Sequence, residues 1–144
     1  MTFDRSNILM LSNDKCSYSN RLKAVNEMKL QNLNVIDQGF VSRLYQMMCS
    51  DKVFTVQEEA FRALQSLGED VHLPKKKKGN LYKNIGNVIK TIHNSFTDSY
   101  TLESFKAEFQ RKEPQIYDAY NGDKQTRFDD WLKNVIKSQC NNIL

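Results

Sequence analysis

The sequence predicts an all-α protein. Three observations carry this expectation. Glycine and proline are scarce, 5 and 2 among 144 residues, which argues against a turn-rich β fold. Apolar residues recur at spacings of three and four along most of the chain. Ser, Thr, Asp or Asn precedes most of these periodic stretches, where its side chain can cap a helix. Apolar content of 40% and charged content of 26% are ordinary for a folded chain. The length suits one domain with a core of its own, or two small helical halves.

In chain order, residues 1–14 hold a short apolar patch, Ile8, Leu9, Met10 and Leu11, that can end a short helix or serve as a lead-in. Residues 16–30 read as a helix with Leu22, Val25 and Met28 or Lys29 on one face, capped by Ser17 or Ser19. Residues 35–49 read as another, with Phe40, Val41, Leu44, Met47 and Met48 apolar and Asp37 as its cap. Gly39 in its first turn weakens that start by up to about 1 kcal/mol relative to alanine. Residues 51–69 are the most informative. Val56, Ala60, Ala63, Leu64 and Leu67 fall on one face, with small alanines where a second helix must approach closely. Asp51 is placed to cap the start, and Gly68 to take the left-handed conformation that ends the helix. The short join at Ser50 and Asp51 makes the two helices antiparallel neighbours.

The order D-x4-V-x3-A-x2-A-L-x2-L-G, formed by Asp51, Val56, Ala60, Ala63, Leu64, Leu67 and Gly68, resembles the second helix of a HEAT repeat. That family builds two-helix units that stack into an armadillo-like α-α superhelix. By this resemblance residues 35–49 are the first helix of the unit, and the run Arg21, Leu22, Lys23, Ala24, Val25 is similar to the second helix of a preceding one. The family usually carries an arginine directly after the valine; here the residue is Gln57, so the usual ladder of Asp and Arg contacts is not implied at that position. The resemblance covers residues 18–70 and implies a HEAT-like repeat half over residues 1–73. A generic helical bundle is the alternative for the same residues.

Residues 74–80, with Pro74, Lys75, Lys76, Lys77, Lys78 and Gly79, form a basic loop, because four adjacent ammonium groups repel and favour an extended, solvated chain. Beyond it, residues 81–144 form a C-terminal helical bundle segment, read as a cap packed on the same domain. Leu81, Ile85, Val88, Ile89, Ile92 and Phe96 give the strongest helical periodicity in the chain, with the helix opening at Leu81 and Lys83 and Lys90 off the apolar stripe. Residues 97–101 supply turn and cap residues. A helix over residues 102–112 places Leu102, Phe105 and Phe109 inward and Glu103 in its dipole-favoured first turn. Pro114 ends it near Glu113 and can open a short helix through Tyr120, which Asn121 and Gly122 stop. Thr126 and Asp129 match a capping pattern for a last helix with Phe128, Trp131, Leu132, Val135 and Ile136 on one face.

The charge is uneven. The chain carries a net +4, yet residues 1–70 hold eight Lys/Arg against nine Asp/Glu, and residues 71–97 hold six lysines and no acid. Lys75, Lys76, Lys77, Lys78, Lys83 and Lys90 are therefore the candidate contacts to a nucleic-acid phosphate backbone, with Asn80 and the helix start at Leu81 as added donors for an anion; a simply solvated lysine loop, and contact with an acidic protein or a membrane surface, are the alternatives. Such a site calls for those lysines on one face, joined by Arg43 or Arg62. A protein-contact surface calls instead for exposed aromatics, and Tyr45, Phe54 and Phe61 are its candidates. A helix-turn-helix at residues 102–120 is disfavoured, because its second member lacks arginine and has no lysine before Tyr120.

No catalytic signature is evident. The chain lacks a phosphate-binding glycine loop, a nucleophile elbow and a dinucleotide fingerprint. His72 and His93 have no second ligand at helical spacing, so no metal, cofactor or small-molecule substrate is expected. Trp131 beside Asp130 is the only echo of the HEAT-like DNA glycosylases, and Trp131 belongs to the apolar stripe. No apolar run approaches the roughly 20 residues that cross a bilayer, and the start lacks a signal peptide's basic and small-residue features. Cys16, Cys49 and Cys140 are odd in number and widely spaced, as reduced thiols in the cytoplasm would be. The expectation is a non-catalytic helical scaffold that binds a protein partner through its solenoid surface. The alternative is nucleic-acid binding through residues 75–90.

Overall fold

A computed structural model describes residues 4–32 and 35–140. Residues 1–3, 33–34 and 141–144, which the sequence places within the 1–73 and 81–144 segments, lie outside the described residues. The described chain is all-helical. It forms two compact units, Met1–Lys76 and Lys77–Leu144, whose boundary falls inside the lysine run.

The first unit holds α1 (Arg5–Leu11), α2 (Tyr18–Gln31), α3 (Gln38–Ser50) and α4 (Phe54–Ser66). Asp4, Ser17 and Asp37 cap the first three through side-chain oxygens. Helix α3 starts at Gln38 because the Asp37 carboxylate takes the Gly39 and Phe40 amides, which leaves Val35 and Ile36 exposed ahead of the helix. A side chain at Gly39 would displace the exposed Arg5 guanidinium, whose Nε reaches Asp37 Oδ2 at 2.7 Å. Helices α3 and α4 pair as an antiparallel hairpin, and α2 packs against α4. The small faces of Ala60 and Ala63 are wholly enclosed beside Val56 and Leu64.

Two expectations about this unit need correction. Asp51 does not cap α4. The helix begins at Phe54 after Val53, with no side-chain cap. Asp51 instead faces Arg21: Arg21 Nε lies 2.8 Å from Asp51 Oδ2 and Nη2 lies 3.0 Å from Oδ1, with the two side chains only 4% and 5% exposed. A buried guanidinium needs a counter-charge, and this one takes the carboxylate that would otherwise cap a helix. Asp51 Oδ1 also accepts the Val53 amide at 2.9 Å, and Arg21 Nη1 donates to the Cys16 carbonyl at 2.5 Å. Secondly, the buried face of α2 is Arg21, Ala24, Val25 and Met28, while Leu22 is only half-buried. The C-terminus of α4 is as expected. Gly68 has φ 86°, its amide donates to Gln65 O, and the Glu69 amide donates to Leu64 O, which closes the helix end.

The second unit holds α5 (Ile85–Asn94), α6 (Leu102–Lys112), α7 (Pro114–Lys124), a 3-10 turn (Gln125–Arg127) and α8 (Phe128–Cys140). Helix α5 packs on α6 and α8, and α7 on its neighbours α6 and α8. Ile85, Ile89 and Ile92 meet Phe105, Phe109, Tyr120, Phe128, Leu132 and Ile136 in one core. Thr101 and Ser104 form a reciprocal cap at α6, and Pro114 opens α7 directly after Glu113.

Three boundaries differ from the sequence expectation. Helix α5 opens at Ile85, not Leu81, because residues 81–84 form a turn in which the Ile85 amide bonds to Tyr82 O at 3.2 Å. Helix α7 runs through Asn121 and Gly122 to Lys124; Gly122 is buried in the helix, and the chain turns only at Gln125, with φ 52°. The tertiary burial outweighs a local glycine penalty of about 1 kcal/mol. Thr126 lies inside the 3-10 turn instead of capping α8, whose Asp129 binds Lys106 Nζ of α6 at 2.9 Å.

Replacing Arg21 by Met strands Asp51 as a buried, unpartnered charge. The expected loss of unfolding free energy is about 3–5 kcal/mol, measured as a lowered urea midpoint in far-ultraviolet circular dichroism. A midpoint equal to that of the unaltered chain refutes the role given to this pair.

Candidate functional site

After α4 the chain runs without helix or strand over residues 69–80. Val71 is buried and Leu73 packs against the core of the first unit, so the stretch is anchored just ahead of its lysines. Lys75, Lys76, Lys77 and Lys78 are all exposed. Lys75 and Lys76 belong to the first unit, and Lys76 Nζ stands 6.0 Å from the centre of the Phe54 ring. Lys77, Lys78, Lys83 and Lys90 belong to the second. Gly79, with φ 88°, provides the left-handed turn that follows the run.

In the second unit the basic residues stand on a shaped surface. Lys83 and Asn84 sit in the turn before α5. Along α5, Asn87, Lys90, Thr91 and Asn94 have the spacing i, i+3, i+4, i+7 of a single helix face, and all four are exposed. The opposite face carries the buried isoleucines. Asn84, Asn87 and Thr91 also line a groove of about 180 Å³, walled by Val88, Ile92, Lys112 and Glu113. The turn that carries Lys83 is held from within the core. Tyr120 Oη accepts the Tyr82 amide at 3.1 Å and donates to the Tyr82 carbonyl at 3.5 Å, while the Tyr120 ring stacks on Trp131 at 4.4 Å between centres.

No acid of the chain engages Lys75, Lys77, Lys78, Lys83 or Lys90 among the described residues. The residues expected to join them are committed elsewhere. Arg43 donates to Ser12 Oγ at 2.9 Å, to the Ser12 carbonyl and to Gln46 Oε1 at 3.0 Å, closing the end of α1. Arg62 pairs with Glu59 Oε1 at 2.6 Å and Glu58 Oε2 at 3.7 Å. The backbone anion site expected at Asn80 and Leu81 has no helix start to supply it, since α5 opens at Ile85.

The aromatic candidates for protein contact are only half-buried fixtures of the first unit. Tyr45 on α3 packs against the core, with Oη 3.5 Å from Glu69 Oε2. Phe61 packs there too, and Phe54 opens α4 beneath Lys76. Among the described residues the large apolar side chains that are exposed are others: Met10, Leu30, Val35 and Ile36, with Val35 at 77%. A second groove, of about 280 Å³, runs between α2 and α4 past Leu22, Val25, Asn26, Lys29, Arg62 and Ala63.

Among the described residues no group of three or more His, Cys, Asp or Glu is placed to hold a metal ion. His93 Nδ1 lies 2.7 Å from Tyr100 Oη, inside the aromatic group of Phe96, Tyr100 and Phe105. No helix among these residues is long and apolar enough to cross a membrane. Comparison with protein-family models, with curated proteins and with solved structures finds no match to this chain.

Charge in the sequence points to Lys83 and Lys90 but not to Asn84, Asn87, Thr91, Asn94 and Lys112. The first four were legible as the stripe opposite the isoleucines; Lys112 arrives from the end of α6 and only packing brings it near.

Burial holds the phenols of Tyr100, Tyr117 and Tyr120 above their ordinary range. The folded state thus favours the protonated form, and that contribution is complete below the usual phenol value of about 10 and fades as pH rises through the raised values. The second unit, followed by Trp131 fluorescence, is expected to lose stability above about pH 10. Tyr120→Phe should lower its stability at neutral pH by about 1 kcal/mol, through loss of the Tyr82 bonds, and make the alkaline decline shallower. An unchanged alkaline slope contradicts this assignment.

Proposed function

We propose that the chain is a non-catalytic helical scaffold that binds nucleic acid through the phosphate backbone, using the lysine segment from Lys75 to Lys90. One observation supports this reading: in a molecule whose arginines are largely spent on internal partners, the lysines of the acid-free segment are exposed, and among the described residues no acid pairs with Lys75, Lys77, Lys78, Lys83 or Lys90. Each lysine that meets a phosphate releases condensed counterions, so affinity must fall steeply with salt. For the first unit we propose a HEAT-like repeat arrangement. The α3–α4 hairpin, the enclosed Ala60 and Ala63 and the Arg21–Asp51 pair that ties α2 to that hairpin support it. The three free cysteines suit a reducing compartment such as the cytoplasm.

A protein partner is the second reading, favoured by the exposed Leu30, Val35 and Ile36. It places the contact between α2 and α3, away from Tyr45, Phe54 and Phe61.

The test is fluorescence anisotropy with mixed-sequence duplex and single-stranded oligonucleotides at about 50 and 200 mM salt. With six phosphate contacts, affinity is expected to fall about a thousandfold between the two. Replacing Lys75, Lys76, Lys77 and Lys78 by Ala should weaken binding to all sequences alike and flatten the salt dependence. Absence of binding at 50 mM removes the nucleic-acid reading, and Leu30→Asp with Val35→Asp then becomes the variant for partner searches.

A further inference from the structure

We propose that the outward face of α5 reads base edges, adenine foremost, in the major groove of duplex DNA. This rests on the nucleic-acid reading above and adds to it a sequence preference that lysines alone do not confer, since phosphate contacts position a protein and base contacts specify it.

The face consists of Asn87, Lys90, Thr91 and Asn94, continued by Lys83 and Asn84 in the turn before it, all six exposed. Helix α5 contains no carboxylate. The outward surfaces of α4 and α6 are different: there Arg62 is tied to Glu58 and Glu59, and Arg111 to Glu108, as on an ordinary solvated helix. Asn and Thr are also poor helix formers at exposed positions, so this stripe is not explained by helix stability. An asparagine amide offers one donor and one acceptor side by side, the complement of adenine N6 and N7. Thr91 turns its hydroxyl back to the Asn87 carbonyl at 2.9 Å, which leaves its methyl as the outward group, suited to the thymine methyl of the same kind of pair. Lys83 precedes the amides and Lys90 stands between Asn87 and Asn94 along the helix, and their long side chains can reach the phosphates that border a groove.

The dimensions agree. A helix of this length is about 15 Å long and about 10–12 Å across with its side chains, and the major groove of B-DNA is about 12 Å wide. Of the residues lining the neighbouring groove, only Glu113 is acidic, and it stands on the wall formed where α6 meets α7. The major groove of an RNA duplex is deep and narrow, so the same face discriminates against it.

The test selects binders of the full chain from a randomised duplex DNA pool, then measures the enriched duplex by anisotropy against three competitors. These are a version with its A·T pairs changed to G·C, the matching RNA duplex and a single strand. The expected result is an A·T-containing site preferred on the order of tenfold over its G·C version. Asn87→Ala with Asn94→Ala should erase that preference and leave the salt dependence intact. Salt-dependent binding with no enriched sequence, a preference unmoved by the Asn variant, or equal affinity for the RNA duplex or single strand overturns this inference and leaves phosphate-backbone binding standing. No binding of any duplex DNA by the unaltered chain overturns this inference, and no binding of duplex or single strand overturns both.

Discussion

The first unit depends on the bidentate pair between Arg21 and Asp51. A guanidinium enclosed in a helical core is tolerated only when a carboxylate meets its fork and its remaining donors find carbonyls. Both conditions are met here, with the Cys16 carbonyl taking the second part. The pair ties α2 to the joint between α3 and α4, the point at which the hairpin reverses. It also explains why α4 begins late and without a side-chain cap: Asp51 serves Arg21 and the Val53 amide together. Apolar packing alone permits neighbouring rotations of α2, since Leu22 and Arg21 differ by one position. The ion pair selects the rotation that buries Arg21, Ala24, Val25 and Met28.

The second unit is held differently. Its core joins isoleucines and Leu132 to aromatic rings, with Tyr120 and Trp131 stacked and Phe109, Tyr117 and Phe128 meeting edge to face. Aromatic rings supply large apolar area with few torsions to freeze, which suits a unit of such small size. Tyr120 has a further role, because its hydroxyl fixes the residues just before α5. The position of Lys83 and Asn84 is thereby set from inside the core, and the candidate site sits on a helix whose other side is fully packed. A surface of this kind is positioned more firmly than one on a loop.

Charge is partitioned by residue type. Arg5, Arg21, Arg43, Arg62 and Arg111 make internal contacts, where a planar fork can satisfy several acceptors. The lysines of residues 75–90 are exposed, with Lys76 over the Phe54 ring. This division leaves the acid-free segment as an exposed cationic stretch, with Arg43 and Arg62 held by partners of their own.

Much was determined locally and could be read from the sequence: the all-helical class, the caps at Ser17, Asp37 and Thr101, the left-handed Gly68, Pro114 at the start of α7 and the isoleucine stripe of α5. Each depends on residues within one or two turns of one another, so spacing reveals it. The outward stripe of Asn87, Lys90, Thr91 and Asn94 was legible by the same logic, as the complement of that isoleucine stripe. Other features depend on partners far along the chain. The burial of Arg21, the diversion of Asp51 from capping, the passage of α7 through Gly122 and the late start of α5 were decided by tertiary contacts, because Asp51 lies 30 residues from Arg21 and Tyr120 lies 38 from Tyr82. Local preferences of about 1 kcal/mol give way where the fold must satisfy a buried charge or a buried hydroxyl.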